Sequence, residues 1–80
     1  MLSAKDAVEM ILFKNGFFSK PRDISEIVDE LSSKGYSFSK ELLSMTLASL
    51  RKKFLTRLGE RGNYTYVQRV PPSEYYSKLT

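Results

Sequence analysis

The feature that most constrains the fold of this sequence is an apolar stripe followed at once by a glycine-containing hairpin pattern. The members of the stripe recur at every third or fourth position and are Leu43, Leu47, Leu50 and Phe54. This spacing places them on one side of an α-helix. Ser39 precedes the stripe and is a suitable N-terminal cap. We therefore predict a helix over residues 40–53.

The segment after this helix predicts a β-hairpin. Residues 55–58 and 64–69 are rich in β-forming side chains, and Gly59-Glu60-Arg61-Gly62-Asn63 separates them. A short loop that contains glycine is typical of a hairpin connection. Pro71-Pro72 follows and ends the second strand, because proline cannot donate a ladder hydrogen bond.

Two more helices are predicted before residue 40. Ser3 and Asp6 form a capping pattern ahead of apolar residues at helical spacing, and Asn15-Gly16 is a stop signal, which gives a helix over residues 4–14. Asp23 and Glu26 form a capping box for a second helix over residues 24–33. The apolar stripe of this second helix is Ile24, Ile27, Val28 and Leu31. Between the two helices, Lys20 precedes a proline and is expected to be extended.

Length and composition point to one small domain without catalytic equipment. Eighty residues allow one domain, which we place at residues 1–70, with a tail at 71–80 that has the potential for a short helix. The sequence contains no cysteine and no histidine. It therefore lacks disulfides, thiolate zinc sites and the commonest general base. We predict neither enzymatic activity nor a cofactor. The acids Glu26, Asp29 and Glu30 are interpreted as a solvated helix face rather than a magnesium site.

The N-terminal segment and the apolar runs argue against membrane targeting. Asp6 and Glu9 interrupt the N-terminus, so we expect no signal peptide. No apolar run approaches the ~20 residues needed to span a bilayer. A soluble cytoplasmic protein without membrane insertion is the prediction.

The net positive charge of the chain comes from its second half. Residues 1–40 hold six basic and six acidic side chains, whereas residues 41–80 hold seven basic and three acidic ones, which accounts for the whole net charge of +4. Six of these cations fall between Arg51 and Arg69, against the single acid Glu60. Such asymmetry is compatible with a surface that faces a polyanion, or simply with a solvated basic face.

The order helix, extended segment, helix, turn, helix, hairpin resembles the winged helix-turn-helix family over about residues 4–69. The segments that carry the resemblance are "PRDISEIVDEL", "LSMTLASLRKKFLTRLG" and "GERGNYTYV". It implies an α+β fold, mainly α, with three helices and a two- to three-stranded wing sheet. The segment "KGYSFSK" is longer than the tight turn of the family. Its Tyr36 and Phe38 either fill the core or alter the approach of the third helix.

In that family the third helix enters the major groove of double-stranded DNA, and the hairpin, or wing, contacts the minor groove or the backbone. Here the outward face of the third helix would offer small side chains, one acid and Met45. Serine and alanine suit close approach to bases, while Glu41 could accept from cytosine or favour the helix N-terminus. The predicted DNA-contacting residues are Lys20, Arg22, Lys40, Glu41, Ser44, Met45, Ala48, Ser49, Arg51, Lys52, Arg57, Arg61 and Asn63.

Alternative partners remain open. Met45 and its neighbours could instead contact a protein, as in an adaptor of a nucleic-acid or membrane-remodelling machine. Tyr64 and Tyr66 could stack unpaired bases, or cover the core. We expect a small transcriptional regulator acting as a homodimer, because the tail carries aromatic residues that a short chain would not bury. Met10 and Phe13 of the first helix offer a second dimer surface.

Overall fold

The structure, a computed structural model, describes the backbone of residues 2–79 and the side chains of residues 2–77. Met1 and Thr80, the outer ends of the predicted domain and tail, lie outside the described residues. Helix α1 begins as Ala4–Ala7 and continues as a π-helical segment, Val8–Phe13. A 3₁₀ turn, Phe17–Ser19, follows it. The other helices are α2 (Ile24–Ser33), α3 (Lys40–Leu50) and α4 (Pro72–Leu79), and the strands are β1 (Arg22–Asp23), β2 (Leu55–Leu58) and β3 (Thr65–Gln68).

The predicted caps are present and set the starts of three helices. The Ser3 hydroxyl accepts from the amide of Asp6 at 3.3 Å. The Asp23 carboxylate accepts from the amide of Glu26 at 2.8 Å, and the Glu26 carboxylate accepts in return from the amide of Asp23 at 3.3 Å. The Ser39 hydroxyl accepts from Leu42 at 3.1 Å. The prediction of a helix over residues 24–33 is confirmed in both bounds.

Helix α3 is shorter than predicted, because its last turn tightens. It ends at Leu50 rather than at residue 53. The amide of Lys52 bonds the carbonyl of Ser49 at 3.4 Å, and that of Lys53 bonds the carbonyl of Leu50 at 2.9 Å, a three-residue spacing typical of a tightened helix end. This turn brings Phe54 into the core and directs the chain into β2. Helix α1 likewise ends one residue early, at Phe13.

The three strands form one antiparallel sheet in the order β1-β3-β2. Thr56 is opposite Val67 in the hairpin, while Arg22 of β1 is opposite Tyr66. The predicted extended segment before α2 is therefore a third strand. The predicted second hairpin strand, residues 64–69, is shorter by one residue at each end. Since β1 runs directly into α2, the sheet holds the hairpin beside the N-terminus of α2.

The core lies between the helices and the sheet and is centred on stacked aromatic rings. Phe13 of α1 stacks on Phe54 with ring centroids 4.0 Å apart. Tyr36 and Phe38 are half-buried, pack against the core and stack on each other at 6.1 Å, which confirms the first interpretation of their long turn. The fully buried apolar residues of this core include Leu12, Phe13, Phe18, Ile27, Leu31, Leu43, Leu47, Leu50, Phe54 and Leu55.

Helix α4 packs on this core, so the expectation that its aromatic residues would stay unburied is wrong. Tyr75 meets Phe13 and Phe54 edge-on, at centroid distances of 5.5 and 5.2 Å. Tyr76 donates its hydroxyl proton to Glu9 of α1 at 3.0 Å. Desolvation, with the hydrogen bond and negative charge of Glu9, raises the pKa of Tyr76 to about 12.

The residues on which the homodimer prediction rested are thus largely internal. The two tail tyrosines contact the core, and Phe13 of α1 is fully buried. Of the two residues predicted as a dimer surface on α1, only Met10 is exposed, by about half. The homodimer therefore stays a prediction. No helix within residues 2–79 has both the length and the apolar character needed to cross a bilayer.

Candidate nucleic-acid interface

The exposed residues of α3 lie on three adjoining sides of the helix, as its 100° turn per residue requires. Glu41 and Ala48 are exposed on the side opposite the core, with Met45 between them. Ser44 lies on the side of the hairpin, and exposed Lys40 begins the helix there. Leu42, Thr46 and Ser49 lie on the side of α1. Only part of the predicted DNA-contacting face is therefore shared with the hairpin.

A cleft of about 530 Å³ separates α3 from the hairpin, and we call it the helix–hairpin cleft. It brings together two predicted site residues, Ser44 of α3 and Asn63 of the hairpin loop, with Ser25 in the first turn of α2. Its full lining is Asp23, Ile24, Ser25, Ser44, Gly62, Asn63, Tyr64, Thr65 and Tyr66. The only acid in this lining, Asp23, is engaged in the cap of α2. The hydroxyl groups of Ser25 and Ser44 and the amide of Asn63 thus line one cleft, beside the paired strands β1 and β3.

A second concavity, of about 460 Å³, is lined by three arginines, and we call it the arginine cleft. Arg51 is the C-terminal cap of α3, Arg57 belongs to β2, and Arg69 follows β3. The other lining residues are Leu55, Thr56, Gly59 and Tyr64, so the lining contains no acid. The guanidinium of Arg57 lies 4.0 Å from the centre of the Tyr64 ring, which is a cation–π contact. Since Tyr64 lines both clefts, the two adjoin.

The other three cations of residues 51–69 are Lys52, Lys53 and Arg61, and they have different neighbours. Arg61 is exposed at the hairpin tip, and Lys52 is exposed in the turn after α3. Lys53 instead lies beside Lys5 of α1. The proximity of Lys5 lowers the pKa of Lys53, and the carboxylate of Glu9 opposes this effect. All three side chains are exposed, and Lys53 differs in lying next to a second cation, Lys5.

Arg22 has an internal role that the sequence did not predict. Its Nε donates to the carbonyl of Phe17 at 2.8 Å, and its Nη1 pairs with Glu26 at 3.1 Å. The guanidinium also lies 4.5 Å from the centre of the Phe17 ring. These contacts tie the 3₁₀ turn to α2 and engage two nitrogens of the Arg22 guanidinium within the protein. Lys20 is exposed in the preceding extended segment, away from both clefts.

Arg69 belongs to the basic segment that the sequence identified, and Tyr64 was a candidate for stacking unpaired bases, but neither is among the predicted DNA-contacting residues. Arg69 donates from Nη2 to the carbonyl of Lys53 at 2.7 Å, and its amide bonds the carbonyl of Phe54 at 2.7 Å. These bonds hold it across from the end of α3. The register of the hairpin, which pairs Leu55 with Gln68, places Arg69 opposite residue 54.

An apolar groove lies on the other side of α3. It measures about 230 Å³ and is lined by Lys5, Leu42, Met45, Thr46 and Ser49. Leu42 is 43% exposed and Met45 is 72% exposed. Two predicted DNA-contacting residues, Met45 and Ser49, therefore belong to a surface that faces α1 rather than the hairpin.

The described residues offer little to a metal ion, since they contain no group of three or more histidine, cysteine, aspartate or glutamate side chains in ligating arrangement. Glu26 pairs with Arg22, and Glu30 pairs with Lys34 at 3.7 Å. Two of the three acids of α2 thus form ion pairs on the surface.

Comparisons with models of protein families, with curated proteins and with solved structures find no match to this chain. The resemblance to winged helices therefore rests on the order of the elements and on the geometry described above.

Proposed function

We propose that this chain is a small winged helix-turn-helix protein that binds double-stranded DNA as a transcriptional regulator. The observation that supports this most strongly is the grouping of Arg51, Arg57 and Arg69 beside the hairpin, with Lys52 and Arg61 exposed nearby. Cations that neutralise backbone phosphates supply most of the affinity of proteins for DNA. In this proposal α3 is the helix of the major groove and the β2–β3 hairpin is the wing.

The side chains of α3 allow close approach to a duplex. Ser44 and Ala48 are small and exposed, so the helix backbone can lie deep in the major groove. A serine hydroxyl can hydrogen-bond base edges, and an alanine methyl can contact thymine. Glu41 is exposed in the first turn, where a carboxylate can accept from a cytosine amino group. Arg61 at the hairpin tip would reach a narrow minor groove or the backbone.

The balance of contacts predicts modest sequence preference. The exposed face of α3 lacks the arginine, asparagine and glutamine side chains that read bases with paired hydrogen bonds. The arginines lie instead around the end of α3 and on the hairpin, where phosphates would be met. Contacts to phosphate fix the position of a protein on DNA without reading its sequence.

The test is fluorescence anisotropy with labelled random and genomic duplexes, on the wild-type chain and on two variants that each lose one positive charge. Arg61→Ala removes the exposed arginine of the hairpin tip, and we expect weaker binding and a salt dependence flatter by about one unit of log–log slope. Lys34→Ala removes a lysine paired with Glu30 at the far end of α2 and serves as the matched control.

Lys34→Ala should bind as the wild type does. Equal losses from both variants would mean that only net charge matters and would contradict the proposed surface. Absence of duplex binding at low salt would overturn the proposed function.

A second function, an adaptor that binds a protein, is favoured by one observation, the exposed apolar side chains of Leu42 and Met45 in the groove beside α1. Met45→Ala distinguishes the two functions, because it removes an exposed side chain suited to adaptable protein contacts but removes no charge. If DNA binding is the function, Met45→Ala should leave the salt slope unchanged.

A further inference from the structure

The arginine cleft concentrates positive charge without local compensation. Arg51, Arg57 and Arg69 line it, and none of the three forms an ion pair with the side chains of residues 2–77. Guanidinium groups stay charged at all ordinary pH values, so the cleft cannot relieve its repulsion by losing a proton. An anion bound among them would remove the repulsion and gain attraction from each.

Two of the three side chains are held in position before any ligand arrives. The guanidinium of Arg57 lies over the ring of Tyr64, 4.0 Å from its centre, and forms no ion pair with the side chains of residues 2–77. Arg69 is anchored by one nitrogen on the carbonyl of Lys53. An arginine carries five N–H donors, so each keeps several for a ligand. Because held side chains lose less entropy on binding, such a site binds more tightly than free surface arginines.

The shape and lining of the cleft select the class of ligand. At about 460 Å³ it is open and large enough for a phosphate group with its attached chain. Thr56 and Tyr64 add neutral polar groups, whereas little apolar surface is available. The forked guanidinium matches the oxygen geometry of phosphate in a bidentate manner.

We propose that the arginine cleft is a discrete phosphate-binding site that takes a phosphate group by itself. We assign the phosphodiester backbone of DNA as its source, and this assignment, unlike the site itself, rests on the proposed function. The cleft would then hold one backbone position beside the hairpin, while the helix–hairpin cleft adjoins it at Tyr64. Arg61 and Arg22 are outside the site.

The experiment follows the Nε–H resonances of the arginines in the ¹⁵N-labelled full chain by nuclear magnetic resonance. Inorganic pyrophosphate is titrated in, and sodium chloride at equal ionic strength is the comparison. The signals of Arg51, Arg57 and Arg69 should shift along one common binding curve, and sodium chloride should not reproduce the shifts. Arg22, already paired with Glu26, and Arg61, at the loop tip, should hardly move.

Conservative variants distinguish a site that depends on the geometry of the guanidinium group from one that depends on positive charge alone. Arg51→Lys keeps the charge and a similar helix propensity but loses the fork, so pyrophosphate affinity should fall about tenfold or more. Arg57→Lys tests the stacked arginine in the same way, independently of the end of α3. Lys34→Ala, which removes a whole charge outside the lining of the cleft, is the control and should bind pyrophosphate as the wild type does. Shifts of similar size at all arginines, or no shift at the three of the cleft, would overturn the proposal.

Adding an unlabelled random duplex identifies the source of the phosphate. If the duplex displaces pyrophosphate, the cleft takes a backbone phosphate, as proposed. If both bind together, the assignment to DNA is overturned and a free phosphorylated molecule is the ligand. If pyrophosphate binds and the duplex does not bind at all, the cleft stands and the DNA-binding function fails.

Discussion

Replacing Tyr75 with alanine tests whether α4 is an integral part of the fold. The Tyr75 ring makes edge-on contacts with Phe13 at 5.5 Å, with Phe54 at 5.2 Å and with Tyr76 at 5.3 Å. Each aromatic pair contributes about 0.5–1.5 kcal/mol beyond the area that it buries. With the loss of a half-buried ring, we expect the free energy of unfolding to fall by about 3 kcal/mol.

Such a loss is large for a chain of this size. At roughly 0.05–0.15 kcal/mol per residue, a domain of 80 residues has a total stability of about 4–12 kcal/mol. A loss of about 3 kcal/mol should lower Tm by roughly 12–24 °C. Circular dichroism during thermal and urea unfolding measures both quantities.

The matched control is Met45→Ala, which truncates a large apolar side chain that is 72% exposed. This variant should stay within about 0.5 kcal/mol of the wild type. If Tyr75→Ala were equally mild, α4 would not stabilise the core. Its tyrosines would then be available to a partner, as the sequence first suggested.

Three further predictions concern single groups. Folding raises the pKa of Tyr76 from 10.0 to about 12, so the stability that its protonated hydroxyl contributes is complete below pH 10 and is lost as pH rises toward 12. Absorbance titration of the tyrosinate and unfolding over this pH range should show the loss. Tyr76→Phe cannot bond Glu9 and should abolish this pH dependence. Gly59→Ala should destabilise the protein by about 1–3 kcal/mol, because φ at this position is +93° and a Cβ would lie 2.5 Å from the carbonyl oxygen of Asn63. Urea unfolding measures the loss, and an unchanged midpoint would contradict the prediction. Asp23→Ala removes the cap of α2 and should cost about 0.5–2 kcal/mol in the same assay, whereas Asp23→Ser should recover most of it.

The helices could be predicted from the sequence because their signals are local. The capping box of Asp23 and Glu26 and the apolar spacing after it lie within one stretch of chain, and both bounds of α2 followed from them. The hairpin was also local, since its strands flank a short glycine-containing loop. The end of α3 was missed because a good helix-forming run continues to Lys53, while packing of Phe54 draws the chain away.

The rest depends on contacts between distant parts of the chain. Neither propensity nor spacing indicates that Tyr76 reaches Glu9, or that α4 covers Phe13. The same limit applies to the candidate site. The sequence identified a basic segment, but it did not indicate that Arg22 pairs with Glu26 or that Lys53 lies beside Lys5. Nor did it indicate that Arg69 bonds the carbonyl of Lys53 in the turn after α3.

The salt dependence of duplex affinity tests the proposed DNA-binding surface most directly. Five cations, Arg51, Lys52, Arg57, Arg61 and Arg69, surround the end of α3 and the hairpin. At about −0.9 per neutralised phosphate, the slope of log affinity against log salt concentration should be about −4.5. A slope near zero, or affinity for duplexes no greater than that of the Arg51→Ala, Arg57→Ala double variant, would contradict the proposal.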